Sequence, residues 1–129
     1  MKAARTPFKG VRGAILAAAC LGVSVWSQAH PHLLASSPAA DAASPPSSQL
    51  VLKFSEGLSL HFSGAALKGS DGSTVPTGAA RLDGKDDTTL VVPIASPLPV
   101  GGYVVEWHAL SNDGHKTQGR YAFRVVGAP

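Results

Sequence analysis

After its first 29 residues, this chain contains neither of the sulfur-containing amino acids. The only cysteine, Cys20, and the only methionine, Met1, both lie before that point in a sequence of 129 residues. The remaining chain therefore offers no disulfide, no thiolate or thioether ligand and no cysteine nucleophile. It also lacks a glycine-rich phosphate loop and a nucleophile-elbow motif. These absences exclude thiol chemistry and disfavour nucleotide binding and serine-hydrolase activity.

An excess of positive charge is likewise missing from residues 30–129. That part has seven Lys and Arg against eight Asp and Glu, whereas the complete chain carries a net charge of +3. The difference comes from Lys2, Arg5, Lys9 and Arg12, at the start of the chain. The composition therefore gives no reason to expect a nucleic acid as partner.

The first 29 residues have the three-part pattern of a secretory signal peptide. The four basic residues precede an apolar run, Ala14–Trp26, and a small-x-small sequence follows at Ser27-Gln-Ala29. The run has 13 residues, fewer than the roughly 20 that a membrane-spanning helix needs. We therefore predict a signal peptide at residues 1–29 and a single exported domain at residues 30–129.

A second cleavage position remains an alternative. Residues 17–20 loosely resemble a lipoprotein cleavage box, and processing there would leave Cys20 lipidated and the domain tethered to a membrane. It would also leave ten residues in front of His30.

Apolar residues in the predicted domain recur at every second position, the spacing of half-buried β-strands. Clusters of Gly, Pro, Asn, Asp and Ser separate the runs, as expected for turns. No stretch has the 3.6-residue period of an amphipathic helix. The pattern predicts an all-β sandwich of about seven strands with Greek-key connections. The runs are Leu50–Phe54, Leu58–Phe62, Leu90–Ile94, Tyr103–Ala109 and Tyr121–Val125.

Cleavage after Ala29 would make His30 the first residue of the exported protein. Its α-amine and imidazole Nδ1 can close a six-membered chelate ring on a metal ion, and nitrogen ligands suit Cu(II). A free terminus with histidine at position three, here His32, usually binds copper through deprotonated backbone amides. Pro31 has no N–H and blocks that mode. His32 is then either a further ligand or a surface residue.

A second group of candidate ligands is Asp113-Gly-His115. Residues i and i+2 of an extended segment project to the same side, so the carboxylate and the imidazole can reach one ion. The alternative is a solvated hairpin turn that happens to contain a histidine. By strand alternation we expect His61 and His108 to face solvent and to take no part in metal binding.

Several segments together resemble the CopC family of periplasmic copper-binding proteins, also known as copper resistance proteins. The most specific are the His-Pro-His terminus and a Tyr-x-Val-x-Trp strand that runs into Ser-x-Asp-Gly-His. The resemblance spans nearly all of residues 30–129 through His30–Pro38, Leu52–Leu58, Phe62–Leu67, Ser96–Leu98, Gly102–His115 and Gly119–Val125.

The resemblance implies an immunoglobulin-like sandwich that binds one Cu(II) ion in the periplasm, as a monomer. Its ligands would be the amine and imidazole of His30, with Asp113 and His115. The family further implies transfer of copper to a membrane copper transporter. Some relatives bind Cu(I) through a methionine-rich loop, but residues 68–76, the corresponding loop, contain no methionine. We therefore expect no thioether site for Cu(I).

Two other functions remain open at this stage. A terminal histidine with a second histidine is also the copper-ligand pattern of oxidative enzymes that carry a histidine brace. Such an enzyme needs a flat surface with stacking rings, and the candidate rings Tyr103, Trp107 and Tyr121 are predicted to face the core. The third possibility is a structural sandwich domain that binds no metal.

Overall fold

Nine β-strands and one short 3-10 helix form the regular structure of residues 30–127, the part of the chain that this computed structural model describes. The predicted signal peptide and Cys20 lie outside these residues. The helix, Leu60–Phe62, lies between the third and fourth strands. The strands are β1 (Leu33–Ser37), β2 (Ala43–Ser44), β3 (Gln49–Phe54), β4 (Gly64–Gly69), β5 (Thr74–Val75), β6 (Arg81–Asp83), β7 (Asp86–Pro93), β8 (Gly101–Leu110) and β9 (Lys116–Val125).

The strands form two sheets packed face to face. One sheet has the order β1-β3-β7-β6 and the other the order β2-β9-β8-β4-β5. Adjacent strands are antiparallel except for β2 and β9, which are parallel. The predicted all-β, immunoglobulin-like sandwich is confirmed. Seven of the nine strands have three or more residues, and only the two-residue strands β2 and β5 add to the predicted number.

The core lies between the sheets and comes from alternate residues of the long strands, as the spacing predicts. Tyr103 and Tyr121 are buried, and the half-buried Trp107 packs edge to face on Phe54 with ring centroids 5.2 Å apart. The side chains with less than 2% exposure include Leu50, Leu52, Phe54, Leu67, Leu90, Val92, Val105, Phe123 and Val125. The structure contains no helix that could cross a membrane anywhere in residues 30–127.

The predicted strand at Leu58–Phe62 is wrong. Only Leu58 is buried and forms a β-bridge, with Ser111, whereas Leu60 and Phe62 are exposed in the 3-10 helix. The reason is topological: β3 belongs to the four-stranded sheet and β4 to the five-stranded sheet, so the chain between them must cross from one sheet to the other. Alternation of apolar residues does not distinguish such a crossing from a strand.

Strand pairing brings the start of the described chain to the same end of the sandwich as the β8–β9 hairpin. Leu33 of β1 pairs with Phe54, the last residue of β3. The segment after β3 then contacts the hairpin, because Leu58 bridges to Ser111. The two candidate ligand groups, far apart in sequence, therefore lie at one end of the molecule.

Candidate metal centre

The tip of the β8–β9 hairpin is a tight turn that holds Asp113 and His115 in fixed positions. The strand ladder ends at Leu110 and Lys116, and beyond it Ser111 N–H donates to the carbonyl of His115 at 2.9 Å. Gly114 N–H donates to the carbonyl of Ser111 at 2.9 Å. Gly114 has a φ of 94°, in the left-handed region, which explains why the turn contains glycine. The predicted hairpin and its turn are therefore both present.

Ser111 is the residue that connects the two candidate ligands. It is only 2% exposed, and its hydroxyl donates to Oδ1 of Asp113 while accepting the N–H of His115 at 3.1 Å. The sequence analysis named it only as part of the Ser-x-Asp-Gly-His motif and gave it no role. The available signal was its position two residues before Asp113, since serine in turns commonly hydrogen-bonds nearby side chains and backbone.

Asp113 and His115 form a pair that is open to solvent on one side. Nδ1 of His115 lies 3.0 Å from Oδ1 of Asp113, and the two side chains are 44% and 51% exposed. The pKa of Asp113 lies below its usual value, chiefly because of the Ser111 hydroxyl and also because of the hydrogen bond with His115. The carboxylate is thus ionised at neutral pH and available to neutralise a cation.

The residues after His30 anchor the start of the described chain. Pro31 is among the most deeply buried residues of the domain. His32 N–H donates to Oγ of Ser55 at 2.9 Å, and Ser55 N–H donates to the carbonyl of His32 at the same distance. These contacts fix the backbone at the point where His30 leaves the sheet.

His30 and His115 meet at this end of the sandwich. Their ring centroids are 5.4 Å apart and the rings are inclined at 78°. Metal–imidazole bonds are about 2 Å long, so two imidazoles on one ion have centroids roughly 4.5–6.5 Å apart. The observed separation fits this range. Within residues 30–127, however, no three His, Cys, Asp or Glu side chains are already arranged as a complete ligand group. The side chains would therefore have to move closer together when an ion binds.

The segment between His32 and the hairpin contributes a further carboxylate, Glu56. Its neighbour Ser55 is bonded to His32, and its other neighbour, Gly57, accepts the N–H of Asn112 at 2.9 Å. Oε2 of Glu56 is buried and has no hydrogen-bond partner among the described residues. A buried carboxylate oxygen without a donor is costly, and a nearby cation would relieve that cost. The sequence analysis missed this residue because no spacing rule links it to His30 or Asp113.

The other three histidines are exposed. The side chain of His32 is exposed, and the ring contact that joins the terminus to the hairpin is made by His30. His61 and His108 are exposed, as predicted.

Residues 33–126 match the CopC domain. The chain belongs to the CopC family. Its CopC relatives include the protein YobA of Escherichia coli K12, which is 42% identical over 113 residues, or 87% of this chain and 90% of YobA. Copper resistance protein C of Pseudomonas syringae pv. tomato is 40% identical over 115 residues, or 85% of this chain and 91% of its own length. The resemblance seen in the sequence is thus confirmed.

A solved structure supports the same assignment. PcoC, a methionine-rich copper resistance protein from Escherichia coli, matches this CopC domain with a TM-score of 0.69 and 37% identity. The match covers 76% of this chain and 100% of PcoC.

Proposed function

We propose that this protein binds one Cu(II) ion at the end of the sandwich where His30 meets the β8–β9 hairpin, and that it acts as a periplasmic copper carrier or buffer. The observation that carries the proposal is the 5.4 Å approach of the His30 and His115 rings, beside an ionised carboxylate. The copper resistance proteins among its relatives support copper as the ion. The protein would then pass the ion to a membrane copper transporter, either for import or for resistance.

The hydrogen bonds assign a role to each side chain of the hairpin. Nδ1 of His115 faces Asp113, which leaves Nε2 as the ligand atom. A carboxylate that accepts from the second nitrogen of a ligating imidazole fixes its orientation and raises its basicity. In this proposal Asp113 performs this role through Oδ1 and offers Oδ2 to the ion. His32 remains a candidate additional ligand.

His30 contributes two ligand atoms if the signal peptide is removed after Ala29. Its α-amine and Nδ1 would then bind the ion as one chelate, together with the imidazole of His115. Glu56, whose neighbour Ser55 contacts His32, offers its buried Oε2 as a further acceptor on the segment beside this terminus.

The chemistry of these ligands favours Cu(II) over other metal states. Three nitrogens and a carboxylate form the kind of site in which Cu(II) has the highest affinity among the divalent first-row ions. Residues 30–129 contain no Met or Cys, so they supply none of the soft sulfur ligands that select Cu(I). PcoC is described as methionine-rich, and this chain differs from it in that respect.

A carrier also fits the surface better than an oxidative enzyme. Tyr103 and Tyr121, two of the rings that a polysaccharide platform would use, are buried. A carboxylate ligand further stabilises Cu(II) relative to Cu(I), which opposes redox cycling.

The direct test is a competition titration of the exported protein with Cu(II) and Zn(II). We expect one Cu(II) per chain and a much weaker affinity for Zn(II), because copper lies above zinc in the affinity order for nitrogen ligands. Tighter binding of Zn(II), or copper uptake that does not saturate at one ion, would contradict the proposal.

Replacing Ser111 by alanine should weaken Cu(II) binding about tenfold, the lower end of what is lost when a residue that orients metal ligands is removed. The substitution removes the hydroxyl that binds both the Asp113 carboxylate and the backbone N–H of His115. The measurement is competition with a Cu(II) chelator.

Ser63→Ala is the matched control for this substitution. Ser63 is also buried, and its hydroxyl accepts the N–H of Leu110 at 3.0 Å without touching either ligand. Both variants should lose similar thermal stability in the metal-free form. Equal copper affinities for the two variants would show that Ser111 stabilises the fold without positioning the ligands.

A further inference from the structure

We propose that the outer face of the five-stranded sheet carries a docking pocket for an acidic polypeptide segment that also bears an apolar side chain. The pocket has a volume of about 470 Å³ and lies beside the β8–β9 hairpin. We call it the hairpin pocket, and it is lined by His61, Phe62, His108, Ala109, Lys116, Thr117 and Gln118. It goes beyond the proposed copper function and does not depend on it.

The crossing between the sheets builds one wall of the hairpin pocket. The 3-10 helix places His61 and Phe62 outside the sandwich, next to the outward side of β8. His108 pairs with Gly64 of β4, and a side chain at Gly64 would lie only 3.2 Å from its ring. The missing side chain at Gly64 therefore leaves room for the imidazole of His108.

The pocket presents an ordered apolar group to solvent. Phe62 is 57% exposed, and its ring packs edge to face on His61 with centroids 4.7 Å apart. Leu60, in the same helix, is 38% exposed. Aromatic side chains at the centre of a patch commonly supply most of the binding energy in protein interfaces.

The outer face of the five-stranded sheet carries a net positive charge, and Lys116 is the charged residue of this face that lines the hairpin pocket. Only five charged residues occur in the five strands of this sheet: four basic ones and a single acid. The acid, Glu106, lies 3.9 Å from a lysine on the neighbouring strand. The basic residues are Lys68, Lys116, Arg120 and Arg124.

The four-stranded sheet has the opposite balance, with two basic and three acidic residues: Lys53, Arg81, Asp83, Asp86 and Asp87. Residues 30–129 as a whole have one more acid than base, so the positive face is a local arrangement. Such a face steers an acidic partner toward itself and repels basic ones.

The shape of the site favours a polypeptide over a membrane surface. The donors of Lys116, Thr117 and Gln118 lie in the wall of a concave pocket with the apolar Ala109. A side chain of an extended acidic segment can enter this pocket, whereas a planar array of lipid headgroups contacts only its rim. Lys116 directly follows His115, so a segment bound here lies next to the candidate metal centre.

The test uses metal-free, ¹⁵N-labelled protein, expressed as the full chain and purified after export. The probe is the blocked peptide Glu-Asp-Phe-Glu-Asp-Leu, and the control peptide has Lys in place of every acid. We expect the acidic peptide to shift the amide signals of residues 61–63, 108 and 116–118, with affinity that falls as salt is added. Shifts confined to other residues, or equal binding of the basic peptide, would overturn the proposal.

Three variants complete the design. Phe62→Ser and Lys116→Glu should each weaken the acidic peptide about tenfold. Lys85→Glu, the same charge reversal at an exposed turn of the other sheet, should change it less than twofold. Equal effects of the two charge reversals would show that the peptide responds to the net charge of the protein and would refute binding in the hairpin pocket. Binding to phosphatidylglycerol vesicles without binding to the peptide would also refute the proposal. Because the protein is metal-free, the outcome is independent of the copper proposal.

Discussion

Inserting Gly-Pro between Ala29 and His30 should lower the affinity for Cu(II) by at least about a hundredfold. The insertion converts the α-amine of His30 into an amide, and the inserted proline has no N–H, so the new terminus cannot bind copper through successive deprotonated backbone amides. The amine and Nδ1 then no longer close the chelate ring. The measurements are competition with a chelator and the nitrogen splitting in the paramagnetic resonance spectrum of the copper-loaded protein.

Gly-Pro added after Pro129 is the matched control, and it should leave the affinity unchanged. Mass spectrometry of each exported product must first establish its terminal residue, which also tests cleavage after Ala29. A protein extended before His30 that binds copper as tightly as the natural one would refute the amine as a ligand. So would an exported natural product that begins at any other residue, such as a lipidated Cys20.

Replacing His30 by alanine should have an effect of similar size through the other half of the chelate. The variant keeps an α-amine but loses the imidazole that lies 5.4 Å from the ring of His115. We expect copper affinity to fall by at least about a hundredfold, since one of three nitrogen ligands and the chelate ring are both lost. Thermal unfolding of the metal-free protein should change far less than the copper affinity, because Pro31 and the backbone of His32 still anchor this terminus.

His32→Ala is the matched control for His30→Ala. Both substitutions remove one histidine from the same terminus, but His32 contributes its backbone to the contact with Ser55, and its side chain is exposed. A much smaller loss than in His30→Ala is expected. Equal losses in the two variants would make His32 a full ligand and would require a different arrangement around the ion.

The sequence predicted the parts of this molecule that depend on local periodicity. Alternation along β3, β8 and β9 identified the strands and their buried faces, and a hairpin turn was one of the two interpretations of Asp113-Gly-His115. Asp113 and His115 do lie side by side, but the turn at Gly114 brings them together and not the extended segment that the i, i+2 rule assumes. These features are local because strand pleating and turn chemistry act over a few residues.

The features that the sequence did not reveal depend on which strands pair and where the chain changes sheets. The meeting of His30 with His115 follows from the pairing of β1 with β3, which no local pattern specifies. The same crossing that made the Leu58–Phe62 prediction wrong brings His61 to His108. Glu56 became a candidate only once burial was known, because a buried oxygen without a donor is a property of the folded chain.

The position of β1 at the margin of its sheet has a consequence for how copper would leave the protein. β1 hydrogen-bonds to β3 on one side only, its ladder is irregular between Leu33 and Ala35, and Leu34 is 61% exposed. A strand held in this way can peel off at a lower free energy than that of global unfolding. Peeling would carry His30 away from His115 and split the ligands while the rest of the sandwich stays folded. Copper release would then require only a local, reversible opening of the terminus. An acceptor protein could take the ion while β1 is detached from β3.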